Sequence, residues 1–387
     1  MRYAIVTETY PPEVNGVALT VRDLEHGLRG LGHEVGLVRL RQAGDHQPAD
    51  HELLLRGVPL PRYSGLQIGL PATRRLIRQW RATPPDAIYI ATEGPLGWSA
   101  LRAARQLGIP AATGLHTRFD HYMRDYGFGW LAGPALRWMR HFHNRAGATL
   151  VPTHELADLL HSQGFQQVRR LPRAVDCERF SPDRRDPALR AQWGAGPDDP
   201  VALHVGRIAP EKNLDLAVRA YRRLQQHHPR ARFVWVGDGP ERARLQREHP
   251  DFIFCGVQRG DDLARHFASG DLFLFPSHSE TFGNVTLEAM ASGVPPVAFD
   301  YGAAREHLRD GLHGAAIDDG DDEGFIAAAV DIGGDAQRRA GMARRGREAV
   351  ISLRPQQVAR DFDALLRDLV ARRKDEPIAL ASTSGRR

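Results

Sequence analysis

Two glutamates, Glu280 and Glu288, stand with seven residues between them in the stretch PSHSETFGNVTLEAMASG, residues 276–293. Between them lies a short turn, Phe282-Gly283-Asn284-Val285. A carboxylate accepts hydrogen bonds from a pair of neighbouring hydroxyls. The exposed N–H groups that open a helix, at the positive end of its dipole, suit a phosphate. Gly283 lets a ligand come close to the backbone. One ligand meets all three demands: a sugar nucleotide, with its sugar at Glu280, its diphosphate at the turn and its ribose at Glu288. Two cations, Arg207 and Lys212, stand five residues apart in HVGRIAPEKN. Such a pair neutralises a diphosphate and stabilises it as a leaving group with no metal required. Gly16, in PPEVNGV, allows a backbone approach to the same phosphates from another side. His116, in GLHTRFDHY beside Thr117, Asp120 and His121, is placed to hydrogen-bond a sugar hydroxyl or an acceptor.

Each feature also has an ordinary reading. Two acids flanking a loop are often merely solvated, a lone lysine is often a surface lysine, and most loop glycines only make turns. With 18 histidines in the chain, any single one is more often bland than functional. Position favours the chemical reading, because each candidate directly follows an apolar run with the length and composition of a strand.

Those runs alternate with helical periodicity. RYAIVTE reads as a first strand. ALTVRDLEHGLRGLGHEV reads as a helix with Leu19, Leu24, Leu28 and Leu31 on one stripe, ended by Gly32. Further strands are legible at EVGLVRL, DAIYIA, IPAATGLH and GATLVPT. Residues 176–200 cluster prolines, glycines and charges, as a domain boundary does. The rhythm then restarts with VALHVGRI, ARFVWVGDG, FIFCGV, DLFLFPS and VPPVAFD. Asn213 and Asn284 are candidate helix N-caps. The expected fold class is α/β, with two Rossmann-like doubly wound domains facing a cleft. The expected boundaries are an N-terminal acceptor domain over 1–178, a linker over 179–198 and a donor-nucleotide domain over 199–350. A C-terminal helix over 351–372 then packs back across the domains, and a disordered tail follows over 373–387. In such sheets ligands bind outside the carboxyl ends of the strands.

The 387 residues carry a formal charge of +5 and are 42% hydrophobic. No apolar run approaches the roughly 20 residues of a membrane span, and the N-terminus lacks the apolar core of a signal peptide. Two separated cysteines, Cys177 and Cys255, point to a reducing compartment. The expected location is cytoplasmic, with peripheral association on the inner face of the plasma membrane.

The segments TETYPPEVNGV, VGRIAPEKNLD, VGDGPE and SETFGNVTLEAMASGVPPVA together resemble the retaining glycosyltransferases of family 4, which have the GT-B architecture. The resemblance covers about residues 2 to 370 and includes the family's E-x7-E arrangement at Glu280 and Glu288. RAVDCERFSP matches the interdomain segment, with Ala174 where a glycine is usual. The resemblance implies that Arg207 and Lys212 bind the donor diphosphate, that Gly16 contacts it from the N-terminal domain and that Glu288 holds the ribose. It implies that Glu280 and the backbone of Phe282, Gly283, Asn284 and Val285 hold the transferred sugar. It places His116 near the reacting carbon and the loop at Gly256 and Val257 against the base. His116, Glu280, Arg207 and Lys212 are therefore the catalytic candidates. Asp120, His121 and Tyr122 are the acceptor candidates. No cofactor or metal is expected; the D-x-D look-alike Asp319-Gly320-Asp321 lies in a polar loop that reads as remote from the other motifs.

The donor is a UDP-glucose-type sugar nucleotide or GDP-mannose, with a lean to the former. The pattern resembles members that glycosylate lipids such as diacylglycerol or phosphatidylinositol-type glycolipids. Arg74, Arg75, Arg78 and Trp80 are the candidates for contact with an anionic membrane surface, and GPALRWMRHFHNRAG adds a second basic-aromatic stretch. The alternatives are a soluble or polysaccharide acceptor, and a UDP-sugar 2-epimerase of the same plan. No nucleic-acid motif accompanies the basic charge.

Overall fold

The computed structural model describes residues 1–13, 15–42, 49–59, 67–116, 132–278, 280 and 282–375. The first domain holds β1 Arg2–Val6, β2 Glu34–Leu40, β3 Glu52–Leu55, a small antiparallel ribbon of β4 Gly57–Pro59 and β5 Gln67–Gly69, then β6 Ala87–Ile90, β7 Ala111–Gly114, β8 Ala148–Val151 and β9 Val168–Arg170. Apart from the ribbon these form one parallel sheet in the order β3-β2-β1-β6-β7-β8-β9. The second domain holds β10 Val201–Val205, β11 Arg232–Val236, β12 Ile253–Gly256, β13 Leu272–Phe275, β14 Pro296–Phe299 and β15 Ala315–Ile317. Its sheet is also parallel, in the order β12-β11-β10-β13-β14-β15. Helices cover both faces, so β10 and β13 are buried at every residue, which is why they read as apolar runs, interrupted only by His204 in β10.

Strand order reverses between β1 and β6 in the first sheet and between β10 and β13 in the second. Such a switch point opens a crevice at the carboxyl ends of the two strands. Gly16 lies in the connection after β1, Arg207 and Lys212 after β10, and Glu280 after β13. Three separate stretches of sequence thus arrive at the two crevices that face each other.

Two parts of the chain differ from expectation. Residues 187–195 are no free linker. Asp186 caps the helix Pro187–Gln192 by accepting from Ala188 and Leu189, and Leu189, Trp193 and Ala195 pack into the second domain's core. Clustered prolines and charges mark turns, and here they frame a short buried helix. The helix Thr73–Ala82 buries Leu76 and Trp80, at 0% and 4% exposure, and turns Arg74, Arg75 and Arg78 to solvent. Trp80 is therefore a core residue and offers nothing to a membrane. Its apolar stripe is spent on the helix's own domain.

The last helix, Pro355–Asp375, returns to the first domain and buries Val358, Phe362, Leu366 and Leu369 there. Tyr3 donates to Asp363 across 2.7 Å. Gly27 meets the helix at Ala359, where an added Cβ would lie 2.4 Å from the alanine methyl, so only glycine fits. Across the cleft the domains meet at Glu306. Its carboxylate accepts from the His154 backbone N–H at 3.0 Å, pairs with the His154 ring at 2.8 Å and lies 2.7 Å from Arg170 Nε. Burial alone would raise the Glu306 carboxyl, but these donors outweigh it and hold it below its ordinary value.

Candidate active site

The helix Asn284–Ala291 begins immediately after the turn. Gly283, not Asn284, holds the capping position, with a left-handed φ of +88° that a residue with a Cβ rarely adopts. Neither Gly283 nor Asn284 supplies a side-chain cap, so among the described residues no side chain caps the first N–H groups of the helix. Phe282 is 5% exposed; its ring rests near His307 and its carbonyl accepts from Ala303 N at 2.6 Å. Phe282 therefore anchors the turn, and Gly283, Asn284 and Val285 are the part left to face a ligand. Gly16 opens the helix Gly16–Gly30 of the first domain, which Asn15 caps. A Cβ built on Gly16 would lie 4.0 Å from Asn284 Nδ2, so the Asn284 side chain reaches across to the start of the first domain's helix.

Lys212 Nζ contacts Glu280 Oε1 directly, and Ser277 Oγ lies 3.2 Å from the same oxygen. The Tyr301 hydroxyl donates to the Ser277 carbonyl and accepts from Glu280 N at 3.2 Å, which fixes the segment that carries the glutamate. Burial, then the nearby Glu280 charge, push the Tyr301 phenol far up, so it stays a neutral hydrogen-bonding group. Arg207 is largely exposed and pairs with Glu211 at 3.2 Å. Asn213 holds the N-cap position of the helix Leu214–His227 with a left-handed φ of 50°, but its side chain makes no capping bond; its Nδ2 donates to His278 Nε2 at 3.0 Å. The other His278 nitrogen meets Asp319 at 2.6 Å. The Asp319 loop therefore adjoins the Glu280 segment, contrary to the remote placement read from sequence. Asp321 caps the next helix, Asp322–Gly334. The D-x-D look-alike is thus one histidine partner and one cap.

Glu288 is half-buried on the cleft side of its helix, and desolvation pushes its carboxyl up to about 7. A cavity of about 310 Å³ lies between the domains, with Thr20, Asp23 and Arg173 on one wall and Gln258, Asn284 and Glu288 on the other. Val257 is 52% exposed beside Gly256, where it can meet a base. If Glu288 accepts from a ribose diol, binding must displace its proton below pH 7. The Kd for a nucleotide sugar should then rise by up to about tenfold for each pH unit below 7 and level off above it. Titration calorimetry across pH 5.5–8 on wild type and Glu288→Gln checks this; the variant should show a flat profile.

His116 is 8% exposed, and both its ring nitrogens are engaged. Arg173 Nη2 donates to Nδ1 at 2.6 Å, which leaves the proton on Nε2, 2.9 Å from the Tyr89 hydroxyl. Burial, then the Arg173 charge, hold its pKa well below the ordinary histidine value. The His116 ring nitrogens, expected to meet a sugar hydroxyl or the acceptor, are thus both paired within the protein. Its partners come from β6 and from the crossing segment, which no local pattern reveals. Asp120, His121 and Tyr122, with Thr117, lie outside the described residues. Sequence reasoning missed Tyr89, Arg173 and Tyr301. It also missed two carboxyls at the ends of β1 and β6. Glu8 accepts from Leu96 N at 2.9 Å and is raised by burial. Glu93 is raised to about 7, first by burial and also by the Glu8 charge. An acid directly after a strand, followed by Gly-Pro, was the available signal for Glu93.

Among the described residues the crevice thus brings together a lysine, a helix start without a side-chain cap and the carboxylates of Glu280 and Glu288. Models of two families match the chain: Glycosyltransferase Family 4 over residues 14–179 and Glycosyl transferases group 1 over residues 199–335. A GDP-mannose-dependent alpha-mannosyltransferase of Mycobacterium tuberculosis is 37% identical over 362 residues, covering 89% of this chain and 91% of that protein. The chain belongs to glycosyltransferase family 4. An alpha-monoglucosyldiacylglycerol synthase of Streptococcus pneumoniae is 26% identical over 81% of this chain and 75% of its own. The sucrose-phosphate synthase of Thermosynechococcus elongatus superposes with a TM-score of 0.76 at 20% identity, covering 96% of this chain and 99% of its own, and this likeness gives the fold. The protein is thus a retaining family-4 glycosyltransferase of GT-B architecture.

Proposed function

We propose that this glycosyltransferase moves mannose from GDP-mannose to a lipid at a membrane surface, without a chelated metal. The observation that carries the donor site is the Lys212–Glu280 contact beside an uncapped helix start, at the carboxyl ends of the switch-point strands. The 37% identity to a GDP-mannose-dependent enzyme favours that donor over UDP-glucose. Lys212 and Arg207 balance the diphosphate as the C1–O bond breaks, Glu280 orients the sugar, and the acceptor oxygen attacks C1 from the face the phosphate leaves. The acceptor proton passes to the departing diphosphate. Positioning and charge stabilisation supply the rate.

The lipid reading has a surface to support it. The helices Pro95–Leu107 and Ala132–His143 present Arg102, Arg105, Arg137 and Arg140 near Trp98 and Trp138, with Trp138 45% exposed. The two indoles lie 5.7 Å apart, and the Arg145 guanidinium sits 5.9 Å over Trp98. None of these arginines pairs with a carboxylate among the described residues. Exposed indole among unpaired cations suits an anionic headgroup layer. Trp138→Ala combined with Arg137→Glu should lower co-sedimentation with phosphatidylglycerol vesicles about tenfold at low salt. The assignment itself is tested with purified protein, EDTA and a lipid extract, comparing GDP-mannose with UDP-glucose, UDP-galactose and UDP-glucuronate. A mannolipid from GDP-mannose is expected. Donor hydrolysis with no lipid product would move the acceptor to a soluble sugar or polysaccharide precursor.

A further inference from the structure

Arg173 is 8% exposed on the segment that leaves β9, and its only described hydrogen-bond partner is the neutral ring of His116. Among the described residues no carboxylate pairs with it. Buried cations are ordinarily paired, because burial strips their hydration and only an opposite charge restores the loss. The guanidinium fork carries five N–H donors, suited to planar or bidentate contact with an oxyanion, and one of them meets His116.

Its surroundings say where the missing charge comes from. Arg173 lines the interdomain cavity with Asn284 and Glu288. The other arginines on that wall are satisfied differently: Arg22 pairs with Asp23, Arg179 pairs with Asp176 and Asp261, and Arg259 is exposed. Across the cleft, Arg207 and Lys212 already have Glu211 and Glu280 as partners inside the protein. Arg173 is thus the buried cation of the cavity wall for which the described protein provides no counter-charge.

We propose that Arg173 is an anion-binding residue of the cleft, which takes a phosphate oxygen of the bound substrate while it holds His116 by Nδ1. The proposal rests on the cleft being the substrate site. The shared chemistry is a phosphate, and it has two sources, the donor diphosphate and the phosphate of a phospholipid acceptor. The tautomer follows from the same contact. With Arg173 on Nδ1, His116 stays neutral and keeps its proton on Nε2, where it meets the Tyr89 hydroxyl.

The test compares wild type, Arg173→Gln, Arg173→Lys and Lys212→Ala. GDP affinity is measured by titration calorimetry without acceptor. Transfer is measured to diacylglycerol and to phosphatidylinositol. If the donor supplies the phosphate, Arg173→Gln raises the GDP Kd about tenfold or more and Arg173→Lys recovers part of it. If the acceptor supplies it, GDP affinity stays within about twofold and kcat/KM falls about tenfold for phosphatidylinositol alone. The empty Arg173→Gln protein should melt at or above the wild-type temperature, since an uncompensated buried charge has been removed. A Tm lower by more than about 5 °C, with unchanged GDP affinity and an equal loss on both lipids, makes Arg173 a structural residue and overturns the proposal. Unchanged binding and transfer in Arg173→Gln overturns it as well. If Lys212→Ala also leaves GDP affinity unchanged, the reading of the cleft as the donor site fails, and this inference fails with it.

Discussion

Glu280→Ala should lower kcat by about 10²–10³ while GDP binds at least as tightly as it does to wild type. The Glu280 carboxylate contacts the Lys212 ammonium. A diphosphate entering beside Lys212 must therefore compete with it. Removing the carboxylate frees the cation for the ligand, so binding of the nucleotide is preserved or improved. What is lost is the acceptor of the sugar's hydroxyls, and with it the placement of C1 for attack from the leaving-group face. Glu280→Gln should fall between the two, since the amide keeps one acceptor oxygen but no charge. Measurement of kcat by product formation, with GDP Kd by calorimetry, separates the outcomes. A parallel loss of both quantities in Glu280→Ala would mean that the glutamate serves the diphosphate and not the sugar.

Lys212→Ala should give the opposite pattern, with GDP affinity lower by about tenfold to a hundredfold and kcat/KM lower by about 10³. A charge-assisted hydrogen bond contributes about 1.5–3 kcal/mol in the ground state. It gains further as negative charge grows on the departing phosphate, so the transition state loses more than the complex does. The variant also leaves Glu280, at 21% side-chain exposure, without its cation. Lys212→Met carries the same cost but keeps the side-chain length, so it separates the lost charge from the lost packing. Equal effects on Kd and on kcat/KM would confine Lys212 to binding.

The positions of these residues were legible because strands and the loops after them are local features. The apolar runs at 201–205 and 272–275 are buried on both faces, so their composition announced them, and the polar residues directly after them had to lie at one edge of a parallel sheet. Pairings across the chain were not legible. Lys212 and Glu280 are 68 residues apart, and nothing near either predicts their contact. His116 was placed at the right strand end, yet its two partners lie 27 and 57 positions away, and they close both of its nitrogens. The helices that carry Trp80 and Trp138 have similar basic-aromatic composition. Only packing decides that Trp80 goes to the core and Trp138 to solvent. Asn213 and Asn284 were natural caps by residue type, but Gly283 takes the capping position before Asn284, and the left-handed Asn213 turns its side chain to His278.

The most direct measurement is the anomeric configuration of the first product, by NMR on material made from GDP-mannose in EDTA. An α-linked mannoside, formed from the α-linked donor with EDTA present, is the predicted result. A β-linked product, or transfer that appears only when a divalent cation is restored, would contradict same-face displacement supported by Arg207, Lys212 and Glu280.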